Sequence, residues 1–189
     1  MLSVGGSLLA SKTPKKIHII GSVGSGKSTL AKQLSVKLSI PYYELDNVVW
    51  RRTENGDVRN SSEARDAQLN GIIASAEWIT EGVHYKWTSS CFEHAELIIY
   101  LDTAMWIRNY RILKRFIVQK LGFEKGNYEQ TFDMLKKMYI WNYGYQKRDR
   151  PVIFDLLEPY QGKLLVLKDN DKVDQYVDLG NEQMKAAGV

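Results

Sequence analysis

Four residues near the start of the chain could bind phosphate, because Gly21, Gly26, Lys27 and Ser28 have the spacing G-x-x-x-x-G-K-S/T. They follow the strand-like run Lys-Ile-His-Ile-Ile at 16–20 directly and precede a helical pattern. Glycines let the backbone wrap an anion so that amides point inward, and the following helix presents its positive end. Lys27 would meet the β and γ phosphates, and the Ser28 hydroxyl would join a magnesium shell. A glycine-rich turn that contains these residues by chance is the alternative.

The loop as a whole predicts a site for a purine nucleoside triphosphate with Mg²⁺. Its expected nucleotide-binding residues are Gly21, Ser22, Gly24, Ser25, Gly26, Lys27, Ser28 and Thr29. No motif in the sequence selects the base, so we take ATP as the default ligand and GTP as the alternative.

Acidic residues follow the strand-like runs that would flank this loop. A metal held by Ser28 normally needs a carboxylate near the end of an adjacent strand. Glu81 ends the third run, Glu44 and Asp46 end the second, and Asp102 ends the fourth. Ligands bind outside the carboxyl ends of parallel strands, so Glu81 is expected to orient magnesium and Asp46 to hold or deprotonate a substrate hydroxyl. The alternatives are a solvated turn carboxylate for Glu81 and helix caps for Asp46 and Asp102.

The residues around the loop resemble a known family. Gly-Ser-Val-Gly-Ser-Gly-Lys-Ser-Thr-Leu-Ala-Lys at 21–32, followed by Ile-Pro-Tyr-Tyr-Glu-Leu-Asp-Asn-Val-Val-Trp at 40–50, is similar to the adenylate-kinase-related proteins called DNA topology modulation proteins. The resemblance covers residues 16 to about 160 and is strongest over 16–50. It implies a fold of the nucleoside-monophosphate-kinase type, with a parallel sheet in the order 2-3-1-4-5 and a mobile lid.

Two further likenesses bear on the acidic residues. Tyr-Glu-Leu-Asp at 43–46 is similar to the paired acids of shikimate and gluconate kinases, which implies that Glu44 supports the metal and Asp46 meets the substrate. Glu-Gly at 81–82 resembles the Asp-Gly that ends the third strand of adenylate kinases. Val-His-Tyr at 83–85 stands where those enzymes have Phe-Pro-Arg, so adenylate kinase activity in the strict sense is disfavoured.

The basic residues are concentrated in one segment. The chain has a net charge of +4, but residues 108–150 contain 11 Lys/Arg and 4 Asp/Glu, so the remainder sums to −3. In this fold the segment would form a lid, and a phosphoryl-transferring lid usually carries one or two arginines. The candidates are Arg108, Arg111, Arg115, Lys147, Arg148 and Arg150, of which we expect Arg111, Arg115 and Arg148 to be catalytic. An ordinary solvated helix face is the alternative.

Aromatic residues interleave with these charges, as they do in grooves that bind single-stranded nucleic acid. They are Tyr128, Phe132, Tyr139, Trp141, Tyr143 and Tyr145. Their partly helical spacing favours core packing over stacking on bases.

The order of apolar runs and helical patterns predicts an α/β fold. We expect a P-loop NTPase with five parallel strands, helices on both faces and a helical lid. Residues 1–14 would be a flexible tail, and 15–189 a single domain whose lid spans about 108–150. The predicted strands are 16–20, 42–45, 78–80, 97–101 and 163–167. The predicted helices run from the phosphate loop to about 39, from 61 or 62 to about 77, from 103 to 121 with Thr103 as the cap, from about 128 to 143, from 151 to about 160, and from 172 to 187.

One helix in this scheme has two distinct faces. Arg108, Arg111 and Arg115 share one of them, and the other is an apolar stripe that consists of Trp106, Tyr110, Leu113, Ile117 and Leu121.

The composition indicates the number of domains and the cellular compartment. The 189 residues are 44% hydrophobic, enough for the core of one domain. A single cysteine, Cys91, excludes an internal disulfide, and no apolar run approaches the ~20 residues of a membrane span. We therefore expect a cytoplasmic protein with no membrane partner.

Two functions fit these observations. The first is a small kinase that transfers the γ-phosphate of ATP or GTP to the hydroxyl or phosphate of a small-molecule or nucleotide acceptor. The second is a nucleotide-dependent regulator that binds DNA through the basic segment and has no kinase activity. No helix-turn-helix, zinc finger or basic zipper is apparent in the sequence.

Overall fold

The computed structural model describes residues 13–53, 56–123 and 131–168, apart from the side chain of Arg52. Most of the predicted tail, Tyr128 and the predicted helix at 172–187 lie outside these ranges. The strands are β1 (Lys16–Gly21), β2 (Tyr42–Glu44), β3 (Trp50–Thr53), β4 (Gly56–Arg59), β5 (Trp78–Gly82), β6 (Leu97–Leu101) and β7 (Leu164–Leu167). The helices are α1 (Lys27–Leu38), α2 (Leu45–Val49), α3 (Ser62–Ile73), α4 (Ser89–His94), α5 (Met105–Lys120), α6 (Phe132–Gly144) and α7 (Arg150–Leu157). A π-helical turn, Tyr145–Asp149, joins α6 to α7, and a 3₁₀ segment, Glu158–Lys163, leads into β7.

Five strands form a parallel sheet in the order β2-β5-β1-β6-β7. Counted along the chain, this is the order 2-3-1-4-5 that the resemblance implies. The central strands are apolar runs, and every residue of β5 and β6 is buried, as in a sheet that is covered on both faces. β1 is in the middle, so the loop that follows it opens at the centre of the carboxyl edge of the sheet.

The core has one layer on each face of the sheet. On one face, Leu30 and Leu34 of α1 pack against Ile17 and Ile19 of β1. On the other face, Trp78 of β5 and Tyr100 of β6 form a larger cluster with Phe92 of α4 and with Ile153 and Leu157 of α7, to which α2 and α3 also contribute. The predicted α/β architecture with helices on both faces is confirmed.

Several element boundaries differ from the predictions. α3 ends at Ile73 and not at Glu77, although Ser61 caps it by accepting a hydrogen bond from the Ala64 amide at 3.2 Å. α5 begins at Met105 with Ala104 at the cap position, so Thr103 as a cap is wrong. The hairpin β3–β4 and the short helices α2 and α4 were not predicted.

Candidate functional site

The loop between β1 and α1 has the shape that the sequence predicts. Gly24 and Gly26 have φ angles of +74° and +98°, in the left-handed region where side chains are strained. A Cβ at Gly24 would lie 2.8 Å from the backbone oxygen of Arg108, so α5 approaches the loop closely. α1 begins at Lys27 without a side-chain cap, and its first amides therefore suit an anion.

Lys27 is enclosed within this loop. The residue is 8% exposed, and its Nζ donates to the backbone oxygen of Ser22 at 2.9 Å. Burial lowers the pKa of the Lys27 amine, whereas the negative charges of Glu81 and Asp46 act in the opposite direction. Both carboxylates are therefore close enough to act on this amine electrostatically.

Ser28 and Glu81 meet at the carboxyl edge of the sheet. The Ser28 hydroxyl donates to Oε1 of Glu81 at 2.7 Å, although the two residues are 53 positions apart in the sequence. Glu81 is 6% exposed, and burial raises the pKa of its carboxyl, against the lowering effects of Lys27 and Ser28. Glu44 stands opposite Glu81 in the pairing of β2 with β5 and also raises that pKa.

These donors fit a magnesium ion. Mg²⁺ is usually held by one or two protein oxygens together with waters and substrate phosphates. Within the described ranges no three His, Cys, Asp or Glu side chains form a metal cluster, and such a cluster is not needed for this mode of binding. The Ser28 hydroxyl and the Glu81 carboxylate supply two hard oxygens beside Lys27. The longer side chain of Glu81, compared with the aspartate of adenylate kinases, reaches Ser28.

Asp46 lies in the first turn of α2 and is more exposed than Glu81. Glu44 occupies the cap position of α2, so the alternative that Asp46 caps a helix is wrong. The Asp46 side chain is 63% exposed, and its Oδ1 lies 3.1 Å from Nε2 of His84, in the loop after β5. A single histidine after a strand carries too weak a sequence signal to assign it a role, so this contact was not predicted.

The arginines of α5 face the loop and the core. Arg111 Nη1 donates to the backbone oxygen of Ser25 at 2.9 Å. Arg115 Nη2 lies 3.5 Å from Sδ of Met138, and its charge acts on Lys27. Arg108 is 2% exposed, and its Nη2 donates to Oε1 of Gln146 at 2.5 Å. A solvated face, the alternative for these three arginines, is therefore wrong for Arg108.

Thr103 also contacts the loop. Its hydroxyl donates to the backbone oxygen of Ser25 at 3.2 Å, which is the same oxygen that Arg111 contacts. The residue that was expected to cap α5 therefore fastens the loop to the end of β6.

α6 reaches the loop through a buried amide. Oδ1 of Asn142 accepts from the Ser22 hydroxyl at 3.2 Å, and its Nδ2 donates to Oδ1 of Asn109 at 2.5 Å. Asn142 is fully buried. No sequence signal marked it, because a single amide in an aromatic helix has no characteristic spacing.

The remaining lid candidates lie around the π-helical turn. Arg150 pairs with both carboxylate oxygens of Asp102, at 2.7 and 2.8 Å. Asp102 is therefore an ion-pair partner and not a cap. Arg148 is 79% exposed and pairs with Asp149 at 3.1 Å, and the carboxylate of Asp149 also accepts from the Tyr85 hydroxyl at 3.2 Å.

The aromatic residues of the basic segment divide between core and surface. Tyr145 is buried, and Tyr139 donates through its hydroxyl to the backbone oxygen of Asn109 at 3.3 Å. Phe132, Trp141 and Tyr143 are exposed. Core packing, which the spacing favoured, therefore describes only part of this set.

Comparison with known proteins bears on the fold. No family model matches the chain. An uncharacterized protein, YqaC of Bacillus subtilis (strain 168), is 28% identical over 123 residues, which are 62% of this chain and 67% of that protein. None of the described helices is both long and apolar enough to cross a membrane.

Two solved structures agree with this chain in fold. A gluconokinase from Sinorhizobium meliloti 1021 has a TM-score of 0.49 at 14% identity, over 94% of this chain and 99% of that one. A shikimate kinase from Bacteroides thetaiotaomicron has a TM-score of 0.50 at 17% identity, over 89% of this chain and 97% of that one. These names do not refer to DNA, so the resemblance to DNA topology modulation proteins stays a prediction. Together with the strand order, the likeness to the shikimate kinase shows that this chain has the fold of the P-loop kinases.

Proposed function

We propose that this protein is a kinase that transfers the γ-phosphate of ATP to a hydroxyl group of a small molecule. The observation that carries the proposal is the contact between the Ser28 hydroxyl and Glu81 at 2.7 Å, beside the buried amine of Lys27. A hydroxyl, a carboxylate and a cation therefore lie together where the sheet opens, and these are the groups that phosphoryl transfer with Mg²⁺ uses.

The donor side would hold the triphosphate. Residues 21–29 bind its phosphates through backbone amides, and Lys27 neutralises charge on the β and γ phosphates. Ser28 and Glu81, with Glu44 beside them, would hold Mg²⁺ or orient its waters. When bound, the ion would neutralise phosphate charge and align the β and γ groups.

The acceptor side would begin at Asp46. The acceptor oxygen attacks the γ-phosphorus, the bond from that phosphorus to the bridging β–γ oxygen breaks, ADP leaves with the electron pair, and Asp46 accepts the proton of the hydroxyl. A phosphate acceptor is already ionised at neutral pH and needs no base. The negative charges of Asp46, Glu44 and Glu81 would also repel such an acceptor, so a hydroxyl is the better match.

Arginines would complete the site. Arg111 and Arg115 come from the helix that covers the loop, and Arg148 from the π-helical turn beside Tyr85. Their role is to stabilise charge on the transferring group. GTP is the alternative donor, and we place the reaction in the cytoplasm.

The test is phosphoryl transfer from ATP with Mg²⁺ to a panel of hydroxylated metabolites, nucleosides and nucleotides. Lys27→Ala serves as the blank, and Lys32→Ala, an exposed lysine on the same helix, is the matched control. Transfer to one acceptor that is lost in Lys27→Ala and kept in Lys32→Ala would support the proposal. Transfer that persists in Lys27→Ala would overturn it.

A protein that binds ATP and transfers to no acceptor would instead favour the regulator. DNA binding would then be measured across salt concentrations, because neutralisation of backbone phosphates makes affinity fall steeply with salt.

A further inference from the structure

The loop that follows Glu81 brings a histidine to the proposed acceptor side. Gly82 permits this approach, since a Cβ there would lie 3.1 Å from Cβ of Leu45 and 3.5 Å from Cδ2 of His84. The chain therefore passes directly against the start of α2, and Nε2 of His84 comes within 3.1 Å of Oδ1 of Asp46.

The direction of this hydrogen bond follows from its partners. An ionised carboxylate can only accept, so Nε2 of the imidazole carries the proton and donates it. His84 thus occupies one oxygen of Asp46 and restricts rotation of the carboxylate. The restriction matters because the Asp46 side chain is 63% exposed.

The imidazole is itself held in place. The Thr88 hydroxyl donates to the backbone oxygen of His84 at 2.8 Å, which fastens the loop. The ring centroid of Trp87 lies 5.2 Å from that of the imidazole, with the two rings tilted by 47°, and the guanidinium carbon of Arg65 lies 4.5 Å from the centroid of the Trp87 ring. A histidine supported in this way can orient a neighbouring group.

We propose that His84 is a positioning residue that aims the Asp46 carboxylate at the acceptor hydroxyl. The inference rests on the proposed function, in which Asp46 accepts the proton of that hydroxyl. A general base must lie within hydrogen-bond reach of the proton that it takes, and small misplacements are costly in rate. His84 would therefore affect turnover through Asp46 and leave the binding of ATP unchanged.

The experiment compares two replacements of this histidine. His84→Leu keeps much of the side-chain volume but removes the donor, whereas His84→Gln places an amide donor near the position of Nε2. His94→Leu is the matched control, because His94 is an exposed histidine on α4 whose Nδ1 lies 3.0 Å from the backbone oxygen of Ser90, one turn earlier in the same helix. The probe is MgATP with water in the acceptor position, followed as phosphate release, and the series is repeated with any acceptor that the panel identifies.

We expect His84→Leu to lower kcat by about 10- to 100-fold, the cost of a misplaced catalytic group, with the KM for ATP unchanged. His84→Gln should recover kcat to within about threefold of the parent, because the amide restores the donor. Adding His84→Leu to the Asp46→Asn variant should lower kcat by less than a further factor of about two. The reason is that the effects of two residues on kcat do not add when one acts through the other.

Two results would overturn the role of His84 and leave the proposed function intact. One is a kcat for His84→Leu equal to that of the parent, and the other is a loss of kcat that adds fully to the loss caused by Asp46→Asn. A loss that His84→Gln does not recover, with a raised KM for ATP, would mean that the loop is merely structural. A parent protein that binds ATP and turns over neither with water nor with any acceptor would overturn the proposed function, and this role with it.

Discussion

The phosphate loop and the covering segment, which consists of Thr103, α5 and α6, are assembled from the chain in different ways. The loop consists of the consecutive residues 21–29, and its path is set by the backbone conformations of Gly24 and Gly26. The covering segment acts through isolated side chains, since Arg111 reaches Ser25 across 86 positions and Asn142 reaches Ser22 across 120. A binding surface made from one continuous stretch depends on few residues, and each is hard to replace.

The contacts of the covering segment are of a different kind. Arg111 and Thr103 both donate to the backbone oxygen of Ser25, and Asn142 accepts from a hydroxyl. Because several weak contacts share the task of holding the loop, the loss of any one should have a graded effect. This difference between the two regions can be tested with single substitutions.

Apart from Lys27→Ala, the largest effect is expected from Glu81→Gln, at the end of β5 beside the loop. Glutamine keeps an oxygen that can accept from Ser28 but removes the charge that would order the waters of Mg²⁺. Loss of a group in or around a metal shell typically costs up to about 100-fold in activity, and we expect that loss in Mg²⁺-dependent turnover. Turnover within about threefold of the parent would contradict the role of Glu81.

The same substitution should change the pH dependence of stability. Burial raises the pKa of the Glu81 carboxyl above its ordinary value of 4.5. At pH values between the ordinary pKa and the raised pKa, the native state binds more protons than the unfolded state. The free energy of unfolding therefore falls as pH rises through that window. Glu81→Gln does not titrate and should be more stable than the parent at pH 7, with the difference vanishing at low pH. Urea unfolding without Mg²⁺ between pH 4 and pH 8 measures it.

A smaller effect is expected from the arginines, and it should differ between them. Arg111 contacts the loop at 2.9 Å, whereas Arg148 is 79% exposed and pairs with its neighbour Asp149. We expect Arg111→Ala to lower turnover by about 20- to 50-fold, somewhat less than the loss of a fully enclosed transition-state donor. Arg148→Ala should cost about threefold, because solvent screens an exposed charge. A larger loss in Arg148→Ala would reverse this ranking and place the transferring group nearer the π-helical turn.

Asn142→Ala should have a weaker effect on turnover and a clear one on stability. The change leaves the Ser22 hydroxyl and Asn109 without this buried partner, which typically costs about 1–3 kcal/mol in the free energy of unfolding. Turnover should fall by only about two- to threefold, because Arg111 and Thr103 still hold the loop. Asn70→Ala, an exposed asparagine on α3, is the control, and denaturant unfolding is the measurement. Equal stability of the two variants would contradict the coupling of α6 to the loop.

Features formed by consecutive residues were predictable from the sequence, whereas contacts between distant side chains were not. The strands of the parallel sheet are apolar runs, and the phosphate loop is a continuous motif, so both were predicted nearly to the residue. The hairpin β3–β4 was missed because every residue of β4 is exposed, and a short solvated strand lacks the apolar alternation by which strands are recognised.

The side-chain contacts of the site were harder to predict. Asp46 and Glu81 were expected near the loop because the carboxyl ends of parallel strands meet at one edge. The contacts of His84, Asn142 and Thr103 were not predicted, because they depend on how helices and loops pack after the sheet has formed. Periodicity showed that α5 has an arginine face and an apolar face, but it did not show which of them turns inward.

The smallest effect is expected from a substitution on the apolar face of α5, because that face points outward. On α5 the predicted apolar stripe is exposed, with Trp106 at 73% and Tyr110 at 63%, whereas Arg108, Ile112 and Phe116 are buried. Trp106→Gln should therefore change the free energy of unfolding by less than about 0.5 kcal/mol, as surface substitutions usually do. Ile112→Ala, on the opposite face, should cost about 2–5 kcal/mol through loss of buried apolar contacts. Urea unfolding of both variants checks the pair, and a loss above about 1 kcal/mol in Trp106→Gln would mean that the stripe is covered and that α5 is rotated relative to the loop.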